Sequence, residues 1–495
     1  SMLKWLLAFI VVVGLIAAGL PPVLGMVYEQ QVTAQFENAP RNPVLEIRLA
    51  DYQRGLYESS GTVVFSLTDE YLDNLEAQLV AQEQADPQTP VTAEAMDLLG
   101  FLSGDVTLSF DVQHGPILTG EDPATGLAAF RTTLSPDDGR FAEFQALADV
   151  PFLFWLDGTV AFDGLTDFTG GMPAMTGADS DVSFDFSGLD LAGQYDVGQR
   201  ALQMDGASQS LLVEGPGVLM EFNELTLASS TTLLDEFIWT GDSRLGLGEF
   251  ALTSKAAAEP VSFVARDAGF LVSADANEAG DRLDLALEYF VGSASGGPDV
   301  DLTDMALGIR LSNLDVGGYT QLVGKVQSMD TSTPAANETA MQELMPIITE
   351  MLRASPGIEL SPVRFISQGE SFAADLQVKF NAEDLDEAAF DQLAQNPALA
   401  IAAVSADGKM QAPETLMKQW VANSMRTNLK QNLPPDSNLS DEQVAQAAEA
   451  QAAMTIETMV AQGMIERSDA QLRSDFIYAD GLLTVRGNVI PLGGP

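Results

Sequence analysis

Apolar residues at every second position dominate the chain from Leu45 onward, and this period excludes most fold classes. Leu45, Ile47 and Leu49 alternate with Glu46 and Arg48, and Val106, Leu108 and Phe110 alternate with Thr107, Ser109 and Asp111. Val63, Phe65 and Leu67 repeat the pattern, as do Val182, Phe184 and Phe186, then Leu283, Leu285 and Leu287. A period of two puts the apolar side chains on one face of a strand and the polar ones on the other. Parallel sheets covered by helices read instead as continuous apolar runs, so antiparallel pairing is expected. Turn sequences recur between the segments: Asp157-Gly158, Gly170-Gly171, Ala279-Gly280-Asp281 and the stretch from Ser293 to Pro298. Residues 45–325 are therefore expected to form an extended, curved antiparallel sheet of long hairpins, interrupted by helices near residues 69–84 and 92–102. No fixed repeat period accompanies the pattern, unlike a strict solenoid.

The pattern changes after Gln327. A polar stretch, residues 328–337, leads into Leu344, Ile348, Met351 and Leu352 at helical spacing, and Pro356-Gly357 ends that helix. Strands are expected near 358–366 and 371–380, then helices from Asn381, over 415–429 and over 440–462. Ser440 and Gln443 have the spacing of a capping box. Closing strands are expected near 476–479 and 482–489. The fold class is mainly β with an α+β C-terminal part, helices covering or following the sheet, plus one N-terminal transmembrane helix. Domains are expected at residues 1–28 (anchor), 29–327 (β-rich) and 328–495 (α+β).

The anchor expectation rests on residues 5–28, which are 24 consecutive uncharged positions with Lys4 before them and Glu29 after. A spanning helix needs about 20 mainly apolar residues, and the positive side chain faces the cytoplasm. The rival reading is a cleaved signal peptide, whose apolar core is shorter. Pro21-Pro22 and the lack of an Ala-x-Ala site favour the uncleaved anchor, with the bulk of the chain in the periplasm.

Charge narrows the partners. The 71 acidic and 23 basic residues give a net charge of -48, which excludes non-specific binding to nucleic acid. The acidity is spread along the chain, as on proteins that stay soluble in high salt, so a halophilic or marine source is expected. With no cysteine there is no disulfide and no thiol nucleophile.

Few residues suggest chemistry. The one histidine, His114, follows a strand and precedes Gly115-Pro116; it reads as a turn residue first and as a base only if a nucleophile and a carboxylate lie beside it. Arg54 before Gly55 reads as a guanidinium pinning a turn or as a binder of an anionic group. Asp275, Asn277 and Gly280 fail as a calcium loop, because Ala279 and Ala286 stand where oxygen ligands are needed. Gly292-Ser293-Ala294-Ser295-Gly296 is no nucleophile elbow, and Leu245-Gly246-Leu247-Gly248 lacks a dinucleotide-binding context. No catalytic residue, metal site or cofactor is expected.

Four short motifs carry a resemblance: Tyr52-Gln53-Arg54-Gly55-Leu56-Tyr57-Glu58-Ser59-Ser60, His114-Gly115-Pro116, Trp239-Thr240-Gly241-Asp242 and Ser355-Pro356-Gly357-Ile358. Together, after an apolar N-terminal segment, they resemble the YdgA-like family of bacterial membrane-anchored periplasmic proteins, a domain of unknown function (945). The likeness covers nearly the whole chain. It implies an inner-membrane protein facing the periplasm, a homodimer, and no established enzymatic activity. Two readings of function follow. The first is a membrane-anchored periplasmic scaffold or interaction protein of the envelope, with an envelope protein or lipid as partner. The alternative is binding or transfer of lipid or another hydrophobic ligand along a concave sheet face. The expected ligand-binding residues are Arg54, Phe110, His114, Phe184 and Phe186.

Overall fold

Where apolar and polar residues alternate, the chain pairs with itself. The structure is a computed structural model that describes residues 44–85, 100, 104–119, 124–134, 148–178, 182–235, 238–254, 261–296, 300–327, 334–393, 396–432 and 440–490. It divides into two compact units, Ser1–Arg282 with Val316–Ile348, and Leu283–Asp315 with Thr349–Pro495.

In the first unit six strands pair in sequence order: β1 (Leu45–Arg54), β2 (Glu58–Leu67), β3 (Val106–His114), β4 (Ala128–Leu134), β5 (Trp155–Val160) and β6 (Leu165–Met172). The hairpin of β7 (Met175–Ala178) and β8 (Ser183–Phe186) is then bypassed, and β6 pairs with β9 (Leu189–Asp196). Long antiparallel strands follow in order: β10 (Ala201–Gly215), β11 (Val218–Asp235), β12 (Ile238–Ser254) and β13 (Val261–Ala276). Residues Phe184 and Phe186 of β8 face Val213 and Leu211 of β10. Helix α1 (Asp69–Ala85) starts where Tyr71 N donates to Thr68 Oγ1 at 3.3 Å, and Asp69 and Glu70 complement its N-terminal dipole. Helices α2 (Val316–Gln327) and α3 (Pro334–Leu352) follow later in the chain, and α3 has proline at its first position.

The core of the first unit forms on one face of β2 to β10, with Val63, Phe65, Leu156, Val160, Phe168, Leu191 and Met204 buried. Its packing depends on glycines opposite aromatic rings. Phe130 pairs with Gly158, which pairs with Phe168, which pairs with Gly193. A Cβ at residue 193 would lie 2.7 Å from Phe168 Cζ, and one at residue 158 would lie 2.5 Å from Phe130 Cε1. The rings thus occupy the space that those side chains would fill.

In the second unit, β14 (Arg282–Gly296) and β15 (Val300–Asp315) come before the helices of the first, and the rest comes after. Strand β15 pairs with β16 (Gly357–Ser367), which pairs with β17 (Glu370–Phe380), then β18 (Val404–Pro413). The ladder continues through β20 (Gln471–Ala479) and β21 (Leu482–Val485) to β22 (Asn488–Ile490), with β19 (Glu466–Ser468) also on β20. Short helix α4 (Glu387–Leu393) packs Phe390 and Leu393 with Phe380 and Ala403. Helices α5 (Glu414–Asn432) and α6 (Asp441–Ala461) pack on each other. Buried Val444, Ala448, Ala452 and Ile456 form one stripe of α6 at a spacing of four. Its capping box is formed: Gln443 N donates to Ser440 Oγ, and Ser440 N to the Gln443 side chain.

Two expectations are corrected. Among the described residues no helix is long and apolar enough to cross a membrane, and the apolar residues 5–28 lie outside those described. The single-pass inner-membrane topology, the periplasmic location and the membrane as partner therefore have no spanning helix behind them. The described part is a mixed fold with a large antiparallel sheet and C-terminal helices, and no described pairing returns β13 to β1. The extended, curved form expected is thus corrected to an antiparallel ladder with no curled or closed sheet among the described pairings. The helix expected near residues 92–102 falls almost wholly on residues outside those described.

Substituting Gly158→Ala is expected to lower the stability of the first unit by about 1–3 kcal/mol, as overpacking does, read as a shift in its urea unfolding midpoint. An unchanged midpoint would mean that Phe130 yields without cost. In the second unit Arg353 donates to both Glu387 carboxylate oxygens, at 2.8 and 2.9 Å, and this hydrogen bonding holds the Glu387 carboxyl below the usual range. The folded value lies below the unfolded one, so the stabilisation is complete above about pH 4.3 and is lost as pH falls through the folded value. Between pH 6 and pH 3, Arg353→Met should therefore lose less stability than the parent chain; equal losses would discount the pair.

Candidate functional site

Three hairpin ends of the first unit meet at one end of its strands. In the β1–β2 turn Gly55 N donates to Glu58 O at 2.8 Å, and any Cβ at residue 55 would collide with that carbonyl. His114 N, at the end of β3, donates to Tyr57 O at 2.7 Å. Beyond the cis Gly115–Pro116 bond, Gly115 N donates to Leu127 O at 2.7 Å, and Leu127 N donates to Val160 O at 2.8 Å. A short ribbon, Ile117–Leu118 with Ala124–Thr125, closes the β3–β4 connection. Beyond β5, Ala161 N donates to Leu165 O at 2.8 Å and frames the turn that carries Phe162.

Main-chain hydrogen bonds therefore link the backbones of these ends, yet their large apolar side chains are left in solvent. Relative exposure is 83% for Leu56, 70% for Tyr57, 69% for Ile117, 58% for Phe162 and 38% for Leu127. Single exposed apolar residues are ordinary, but several on adjoining turns form a patch of the kind that marks interaction sites. None of the five is among the expected binding residues, although Leu56 and Tyr57 fall within the first of the four motifs. The available signal was Leu56-Tyr57 inside a turn, where polar residues and glycine are usual.

His114 sits beneath this rim, and its Nε2 lies 2.7 Å from Ser59 Oγ. That is the spacing of a nucleophile–base pair, but Ser59 is only 5% exposed. No carboxylate bonds the other ring nitrogen among the described residues, so the pair lacks both access and the orienting third group. Its evident work is to satisfy a buried hydroxyl. Arg54 is exposed at the end of β1, and no carboxylate pairs with it among the described residues. The turn is held by backbone bonds and not by a buried guanidinium.

The remaining expected residues lie in the core. Phe186 is buried, and Phe110 and Phe184 pack against the same cluster. Phe110 also stacks with Tyr52, centroids 6.3 Å apart, and leans over its pairing partner Gly61. The expected binding of lipid along a concave apolar face is corrected: these rings are spent on internal packing and line no open groove. The structure thus brings Arg54 and His114 together at the hairpin ends and places the three phenylalanines elsewhere. Asn277 accepts from Asp281 N and Arg282 N, so the failed calcium-loop residues close a hairpin. Among the described residues no group of three or more acidic or histidine side chains could hold a metal.

On the wet face of β4, β5, β6, β9 and β10 lies a groove of about 780 Å³, lined by Asp157, Thr159, Asp167, Gln194, Gln203 and Asp205 among others. Arg131 Nη2 donates to Asp157 Oδ2 at 3.1 Å, and Gln194 Nε2 donates to Asp167 Oδ1 at 2.6 Å.

The family model described as bacterial protein of unknown function (DUF945) matches residues 2–493. The chain belongs to that family. The match agrees with the resemblance carried by the four motifs, two of which, Tyr52 to Ser60 and His114 to Pro116, now stand hydrogen-bonded side by side. No curated protein matches the chain, and no solved structure does.

Ser59→Ala leaves His114 without its partner and is expected to cost about 1 kcal/mol, the net worth of one such hydrogen bond. Chemical denaturation measures it; a loss near zero would assign the ring's position to packing alone.

Proposed function

We propose that this chain is a protein-binding module whose docking surface is the apolar rim of Leu56, Tyr57, Ile117, Leu127 and Phe162. The observation that carries this reading is the exposure of Leu56 and Tyr57, at 83% and 70%, on a turn whose backbone is already fixed. Folding explains Gly55, Gly115, Ser59 and His114, which shape and brace the turns. It gives no reason for two large apolar side chains at the tip, since burying either elsewhere would gain about 1.5–3 kcal/mol. Aromatic and aliphatic anchors on a rigid support are the side chains that dominate protein–protein contacts. Arg54, exposed beside them, supplies a planar donor group at the edge of the surface.

The test is photocrosslinking in the source bacterium, with benzoyl-phenylalanine at position 57 or 162 and a control at exposed Tyr289. A discrete protein adduct is expected from the rim positions, absent from position 289 and lost when Leu56→Ser and Ile117→Ser are added. Both substitutions are at exposed sites, where stability changes stay within about 0.5 kcal/mol. Identical adducts from rim and control, or an adduct untouched by the serines, would refute the docking surface.

A further inference from the structure

We infer that the partner of this rim is a segment carrying basic side chains next to its apolar ones, with the basic part seated in the groove of β4, β5, β6, β9 and β10. The inference rests on the docking reading above and adds the chemistry of the partner. Rim and groove are continuous. Leu127 precedes β4 by one residue and, by strand alternation, stands on the same face as Ala129 and Arg131. Ala129 and Thr159, a registered pair, line the groove, and Phe162 lies three residues past Thr159.

The charges of the groove are unequal in their partners. Asp157 is held by Arg131. Asp167 accepts a hydrogen bond from the neutral amide of Gln194. Asp205, exposed, has no side-chain partner among the described residues. Short side chains at Ala129, Thr159, Thr169 and Ala192 line the groove between the longer ones. An extended chain with apolar residues on Leu127 and Phe162 would then set its next residues between Asp167 and Asp205, where lysine or arginine is complementary. A second copy of this chain is a poor occupant, because two bodies of net charge -48 repel each other.

The experiment uses the full chain and two fluorescein-labelled peptides that share a leucine–phenylalanine run, one followed by lysines and the other by glutamates. Fluorescence anisotropy is expected to show binding of the lysine peptide alone, weakening as salt rises. Asp167→Asn with Asp205→Asn should weaken it about five-fold, the scale of two exposed ion pairs. Asp275→Asn with Glu278→Gln removes the same charge at a distant turn and should leave binding unchanged. Equal weakening by both pairs reduces the effect to bulk charge and overturns the inference. So does similar binding of the two peptides, or no binding of the lysine peptide. Leu56→Ser with Phe162→Ser separates the two readings. If it abolishes binding while the groove variants do nothing, the docking surface stands and the basic partner falls; if neither matters, both fall.

Discussion

Phenylalanine laid across glycine on the neighbouring strand is the contact on which both units depend. It occurs at Phe110 with Gly61, at Phe130 with Gly158 and at Phe168 with Gly193 in the first unit. It recurs in the second, where a Cβ at residue 408 would lie 2.5 Å from Phe476 of the paired strand. Glycine costs a strand entropy and offers nothing to pack; a ring over it restores the lost contact and covers the backbone. Each such pair also sets register, because a slip by one residue would put a side chain where the ring lies. The core of β2 to β10 is therefore aligned as much by its gaps as by its bulk.

Alignment at that level explains how the hairpin ends come to be ordered. With β2 set against β3 by Phe110 over Gly61 and β4 against β5 by Phe130 over Gly158, the turns at their ends exchange main-chain hydrogen bonds through Tyr57, His114, Leu127 and Val160. The apolar rim rests on turns fixed by these backbone bonds, which would spare the proposed partner the entropy of ordering those loops.

Much of this architecture could be read in the residues. Alternation at Leu45 to Leu49, at Val106 to Phe110 and at Leu283 to Leu287 marked strands, and Ser440 with Gln443 marked a helix start that the structure forms. Other features could not be read, for definite reasons. Alternation names the buried face of a strand without naming its neighbour, so the pairing of β6 with β9 across the β7–β8 hairpin left no local trace. Nor does alternation distinguish a packed core from an open groove, which is why Phe110, Phe184 and Phe186 read as ligand contacts and are packing residues. His114 and Arg54 drew notice by rarity, and both stand at the rim. The anchor expectation came from composition in residues 5–28, and the described helices offer it no counterpart. Leu56 and Tyr57 were hidden because a hydropathy pattern records what a side chain prefers, not where the fold leaves it.

The interleaving of the two units has a consequence for biosynthesis. Strand β15 leaves the ribosome before β16, its hydrogen-bonding partner, and Val316 to Ile348, which belong to the other unit, are made between them. For that interval the nascent chain holds a 16-residue strand with an unfilled edge, the kind of exposed template on which chains pair wrongly. Its sequence is suited to waiting: Asp301, Asp304, Arg310 and Asp315 punctuate the apolar positions, and like-charged copies on neighbouring ribosomes repel. The acidity spread along this chain would thus guard the unfinished protein as well as solubilise the finished one.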